Sequence, residues 1–108
     1  MNSTADQSFT KLGTFTSYIL IAMRCVNCAV NLATAVGGVY TAALKGGDAL
    51  IANTQTYVGN DGAATSGSGM ALNAKSLGVR TETPILSLTT PQGSAATADI
   101  YAFGIPLA

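Results

Sequence analysis

Residues 26–57, VNCAVNLATAVGGVYTAALKGGDALIANTQTY, contain two Gly-Gly pairs, Gly37-Gly38 and Gly46-Gly47, that cut the stretch into three runs of strand length. A two-residue Gly-Gly loop between such runs is a hairpin signal, because a type I′ turn needs positive φ at both central positions. The stretch therefore predicts a three-stranded antiparallel meander, and the two loops fix its register. With Gly37-Gly38 as one loop, Val36 faces Val39 and Thr34 faces Thr41. With Gly46-Gly47 as the other, Lys45 faces Asp48 and Ala43 faces Leu50.

Opposed residues share a face, and alternation carries the assignment along each strand. One face then holds Val26, Cys28, Val30, Leu32, Val36, Val39 and Leu50, an ordinary core set. The other holds Ala29, Asn31, Ala33, Tyr40, Ala42, Leu44, Ile51, Asn53 and Tyr57, with no charged residue among them. A half-solvated antiparallel sheet normally turns charged residues outward. These nine residues are therefore candidate interface positions, lying either under a second sheet of the same chain or against a neighbouring subunit.

Composition supports a covered surface. Charged residues make up 9% of the 108 residues and the formal net charge is 0, against a usual charged share of about 25%. One small domain of this length can bury a core of its own. A deficit of charge this deep predicts that much of the remaining surface is not free, and points to a homo-oligomer or a subunit of a shell. Five Lys and Arg in all supply no basic patch, which argues against nucleic acid as a partner. The longest wholly apolar run, residues 18–23, is far short of the about 20 residues of a membrane helix. Residues 1–7 have no basic and apolar pattern of a secretory signal.

Along the chain, residues 1–13 read as a polar N-terminal arm and residues 14–108 as a single β domain. Residues 14–24 predict a long central strand, rich in β-branched and aromatic side chains. Residues 58–69 read as a Gly- and Ser-rich surface loop; without a following Lys-Ser/Thr they are no phosphate cradle. Residues 70–77 predict a short strand, and residues 79–90 a strand interrupted at Pro84. Thr90-Pro91-Gln92-Gly93 is a β-turn pattern. Residues 98–105 predict a last strand with Ile100 and Ala102 on one face and Tyr101 and Phe103 on the other, closed or placed at an edge by Pro106. The sum is an all-β fold of about seven or eight strands, a small antiparallel β-sandwich or jelly-roll-like barrel.

Candidate chemistry is sparse. Cys25 and Cys28 form the one CxxC pattern. Three positions along a strand puts two side chains on opposite faces with Cα atoms roughly 10 Å apart, whereas a disulfide needs about 7 Å or less. The pair therefore reads as buried free thiols, with Cys25, on the uncharged face, the candidate for an intersubunit thiol. The chain has no His and no second CxxC, so a zinc site lacks ligands and general base catalysis lacks its commonest residue. The five acids, Asp6, Asp48, Asp61, Glu82 and Asp99, are scattered. No enzyme activity, metal or cofactor is expected.

Three phrases carry a family likeness: GVYTAALKGG at 38–47, LSLTTPQG at 86–93 and ATADIYAFG at 96–104. They resemble small virion proteins of tailed bacteriophages, including head decoration (cement) proteins with β-sandwich or jelly-roll folds, over about half of the chain. The resemblance implies a non-enzymatic subunit, often a trimer, that bridges neighbouring major capsid proteins of a virion built in a bacterial cytoplasm. It supplies no catalytic residues, and the Cys pair departs from it. A neck, tail or fibre-base subunit is the nearest alternative. A carbohydrate- or receptor-binding module, with Tyr40, Tyr57 or Tyr101 as a stacking platform, is another.

Overall fold

The computed structural model describes residues 1–10, 17–26, 28, 32, 34–57, 68–93 and 96–107. Apart from one short 3-10 helix, Ala74–Gly78, the described chain is all-β, in two antiparallel sheets. Sheet I orders β1 (Gln7–Ser8), β6 (Ile85–Thr90), β3 (Val36–Ala42) and β4 (Gly46–Ile51). Sheet II orders β5 (Ser68–Met70), β2 (Ser17–Val26) and β7 (Asp99–Leu107). Only five of these strands reach six residues, against the expected seven or eight. Among the described strands, five of the six successive connections change sheet, and β3 to β4 is the one hairpin.

The expected loop at Gly37-Gly38 is not there. Both glycines lie inside β3, paired with Leu88 and Ser87 of β6. Neither has the positive φ that a type I′ turn demands; among the described glycines only Gly47 and Gly93 do. Their smallness serves close approach instead. A Cβ on Gly37 would stand 2.4 Å from Leu88 Cα, and one on Gly38 would stand 2.3 Å from the Ile51 carbonyl oxygen. The predicted three-stranded meander is thus a two-stranded hairpin whose other neighbour, β6, comes from later in the chain.

The second hairpin forms, but its turn sits earlier than expected. Leu44 and Lys45 take the two positive-φ positions, at 57° and 58°, and Gly46 N donates to Ala43 O at 3.0 Å. Ala42 therefore pairs with Gly46 rather than Lys45 with Asp48. Gly47, at φ 66°, bulges the strand, and Asp48 N donates to Thr41 Oγ1 at 2.8 Å. A second irregularity follows before Val39 meets Ile51. Each bulge inserts a residue that breaks alternation. In consequence Leu50 and Ile51 are both buried. Val39 and Tyr40, consecutive on β3 where its pairing with β6 is regular, are buried too.

One core joins the sheets. Leu20, Met23 and Cys25 of β2 pack in a single cluster with Val39, Leu50, Ile51, Leu86 and Leu88 of sheet I. Each such fully buried side chain contributes roughly 1.5–3 kcal/mol. Tyr57 lies inside as well, and its hydroxyl donates to Gly37 O at 3.2 Å, where no side chain intervenes.

The remaining elements partly follow the sequence. β2 is central in sheet II, but Ile21 is exposed, so only one of its faces is covered; residues 14–16 lie outside the described residues. Residues 70–77 do not form a strand: β5 ends at Met70 and the 3-10 helix begins at Ala74. Asn73 ties that helix to β4, its N–H donating to Leu50 O at 2.9 Å and its Nδ2 to Ala49 O at 2.7 Å. Pro84 does split its segment, leaving Thr81 paired with Tyr18 and β6 starting at Ile85. At residues 90–93 the N–H groups look elsewhere: Gln92 N donates to Met1 O at 2.9 Å and Gly93 N to Asn2 Oδ1 at 3.1 Å. The first ten residues are thereby held against the body, with β1 on β6 and Phe9 N donating to Pro84 O at 3.0 Å.

Gly37→Ala is expected to destabilise the fold by about 3 kcal/mol or more, because the two atoms nearest the methyl, Leu88 Cα and Ser87 O, are backbone and cannot swing aside. Gly78→Ala, which meets nothing within 4 Å, should stay within about 0.5 kcal/mol of the wild type. Urea unfolding of the two variants checks this, and a Gly37→Ala protein as stable as Gly78→Ala would contradict the close approach.

Candidate assembly surface

The cysteines are the first place to look for chemistry. β2 ends at Val26, so the strand geometry behind the expected separation does not extend to Cys28. Both thiols turn into the core, unbridged, with their sulfurs 3.9 Å apart. Burial, with Cys28 beside it, pushes the Cys25 thiol up to about 12. Such a group is almost wholly un-ionised near neutrality and a poor nucleophile. Cys25 is also 0% exposed, so the expected surface position for an intersubunit thiol is not what the fold provides. Among the described residues no cluster of three His, Cys, Asp or Glu could hold a metal ion.

One polar cluster fastens the arm to the hairpin. Leu44 N donates to Asp6 Oδ2 at 2.7 Å, and Lys45 Nζ donates to Ser87 Oγ at 3.0 Å. The Leu44 N–H, then the Ser87 hydroxyl, then the Lys45 charge hold the Asp6 carboxyl below its usual range. Left-handed backbone at a non-glycine residue costs roughly 1–2 kcal/mol; the carboxylate holds the turn that contains two of them. These contacts are structural in character.

The nine expected interface residues do not form one surface. Tyr40, Ile51 and Tyr57 are buried in the chain's own core. Ala42 and Leu44 are exposed at the β3–β4 turn, Leu44 by 89%, while Asn53 is exposed beyond the far end of β4. Ala29, Asn31 and Ala33 lie outside the described residues. Tyr40, Ile51 and Tyr57 are thus covered by the chain itself, one of the two covers expected for them, while the bulges on β4 break up the single face that strict alternation gave.

The exposed uncharged face is on the other sheet. Along β7, Ile100 and Ala102 turn inward against the core, and Tyr101, Phe103 and Ile105 turn outward, 49%, 50% and 55% exposed. On β2 the register shifts between Leu20 and Ala22, and Ile21, in that bulge, is 50% exposed. Phe103 stands opposite Ala22, Ile105 opposite Ile19, and Tyr101 opposite Arg24. The result is an apolar strip along the outer side of β2 and β7 with one cation at its end. Gly104 lets Tyr18 press against β7: a Cβ there would stand 2.4 Å from the Tyr18 ring. Beside β7 lies a cavity of about 450 Å³, lined by Phe9, Thr10, Tyr18, Leu86, Ile100, Ala102 and Gly104 among others.

Sequence reasoning placed Tyr101 and Phe103 together but did not mark them as an interface. The available signal was residues 100–107, IYAFGIPL, apolar on both alternating sets and ending in an edge-marking proline.

Both thiols should resist alkylation in the native protein at pH 8 and react fully in denaturant, as mass spectrometry can follow; fast native labelling of Cys25 would contradict its burial. Asp6 gives a pH test. A carboxyl depressed in the folded state adds stability above its unfolded value, and that stability is lost as pH falls through the folded one. Melting temperature should therefore drop on acidification below the ordinary carboxylate value of about 4, and Asp6→Asn should make the drop shallower. Parallel acid curves for the two proteins would rule out this role.

Comparison with protein-family models, with curated proteins and with solved structures finds no match in any of the three.

Proposed function

We propose that the protein is a non-enzymatic structural subunit that works by covering the outer face of sheet II in an assembly. The observation that carries this reading is the apolar strip of Ile21, Tyr101, Phe103 and Ile105, half exposed on a chain with 9% charged residues. The largest apolar patch on a small protein is often its functional surface. The two sheets, sharing a core and exchanging the chain at five of six connections, are read as the layers of a jelly-roll-like β-sandwich.

In its specific form the proposal is a capsid decoration (cement) subunit of a tailed-phage virion, joined to its own copies and to the major capsid protein. The phrase likeness at 38–47, 86–93 and 96–104 supports this form. Burying a half-exposed Phe, Tyr or Ile gains about 1 kcal/mol each. One copy therefore grips weakly, and the strength of a shell comes from summing many copies across its joints. A glycan platform at Tyr40 or Tyr57 is not favoured, since both rings are inside the chain; of the three, Tyr101 alone is exposed.

Removing the protein from the particles that carry it should lower the temperature at which heads release DNA and leave host adsorption unchanged. Unchanged head stability, or lost adsorption with intact heads, would overturn the cement reading.

A further inference from the structure

We infer that β7 pairs with β7 of a second copy in antiparallel register about Phe103, fusing two copies of sheet II into one. The inference rests on reading the outer face of sheet II as an assembly surface, and it names the first partner of that surface. β7 is nine residues long and is an edge strand among the described residues, with the cavity of about 450 Å³ beside it. Such an edge is a template for another strand.

The register follows from hydrogen-bond directions. Tyr18 gives its N–H to Thr81 O at 2.9 Å and accepts from Thr81 N at 2.8 Å. Its backbone groups therefore point away from Pro106, which stands opposite it on β7. Opposed residues of an antiparallel pair alternate between bonded and non-bonded. Pro106 is thus in a non-bonded pair, and its backbone points to the open side. The bulge lies on β2, so β7 keeps its alternation. Ile100, Ala102 and Gly104 then also offer backbone groups to the open side, while those of Tyr101, Phe103 and Ile105 face β2.

Pairing about Phe103 uses all of this. Ala102 exchanges both bonds with the partner's Gly104, and Gly104 with the partner's Ala102. Ile100 N–H reaches the carbonyl of the partner's Pro106, where the missing N–H falls at the end of the ladder. On the outer face Phe103 meets the partner's Phe103 and Tyr101 meets the partner's Ile105. Sliding the copies two residues one way puts Pro106 opposite the partner's Ala102, in mid-ladder. Sliding them two the other way puts Ile105 beside the partner's Asp99. The self-complementary register also sends the two Asp99 carboxylates to opposite ends, and residues 100–107 contain no charge to oppose contact.

Area gives the reason for a second copy. Four half-exposed side chains offer on the order of 400 Å², about half of the roughly 800 Å² per partner of a standard interface. Two copies joined at β7 present the whole. The pairing itself covers only strand flanks, so the dimer is reversible and strengthens where copies are crowded. An isologous strand pairing has two-fold symmetry and cannot by itself build the trimer that the phage likeness implies.

Sedimentation of the purified chain should show a monomer of 10.8 kDa on dilution and a species of twice that mass at high micromolar concentration. Phe103→Cys sits on the two-fold axis in a non-bonded pair, where Cα atoms are about 4.5 Å apart, within disulfide range. Mild oxidation should link it quantitatively into dimers, and Leu44→Cys, at the far exposed turn, should not link above background. Phe103→Lys should weaken dimerisation at least tenfold, with circular dichroism unchanged. A trimer, or an oligomer in which Phe103→Cys does not link, overturns the β7 pairing and leaves the assembly surface standing. A chain that stays monomeric at every concentration overturns the pairing too; if Ile21→Lys also leaves its binding to shells unchanged, the assembly reading falls with it.

Discussion

The backbone of β3 runs past β6 and past the end of β4 with nothing but hydrogen on two successive Cα atoms, Gly37 and Gly38. The rest of the structure depends on that close passage. It lets β6 return from late in the chain to lie beside β3, and it opens Gly37 O to the Tyr57 hydroxyl. With β6 on one side and β4 on the other, β3 is interior, and its neighbours' apolar side chains fill the core. Val39, Tyr40, Leu50 and Ile51 all lose their exposure there. Three of the residues that looked too uncharged for a free surface, Tyr40, Ile51 and Tyr57, are not surface at all.

That moves the question of the missing charge to sheet II. β2 is covered on one face by the shared core, and β7 has a neighbour on one side only, among the described residues. Its outward residues are nonetheless apolar. A strand that is both an edge and apolar on its open face invites association, and natural edges usually carry charge against it. Here Pro106 and the terminal position of Asp99 limit the edge without blocking its middle. Among the described residues, the core between the sheets is closed and the outer face of sheet II is left open.

Several parts of this were legible in the sequence and several were not. The all-β class, the central place of residues 18–23, the break at Pro84 and the edge position of Pro106 follow from composition, periodicity and the missing proline N–H. The β3–β4 hairpin was legible as an element but not in register. Gly46-Gly47 marked the place, yet the strained positions fell to Leu44 and Lys45, held by an Asp6 contact 38 residues distant. Gly37-Gly38 gives the same local signal and has the opposite use, because close approach of distant backbone leaves no mark near the glycines themselves. The Cys pair was legible as buried free thiols but not in its geometry, because β2 ends at Val26 and the two sulfurs come within 3.9 Å. For the surface, alternation was the right tool on β7, which is regular, and failed on β4, where two bulges each shift the faces.

The central claim is that Tyr40 and Tyr57 are interior while the strip around Tyr101 is open. The chain has four tyrosines and no tryptophan, so each can be followed separately. Limited nitration of the isolated protein, mapped by mass spectrometry, should modify Tyr101 first and spare Tyr18, Tyr40 and Tyr57 until the fold is lost. Modification of Tyr40 or Tyr57 as fast as Tyr101 in the folded protein would contradict the account.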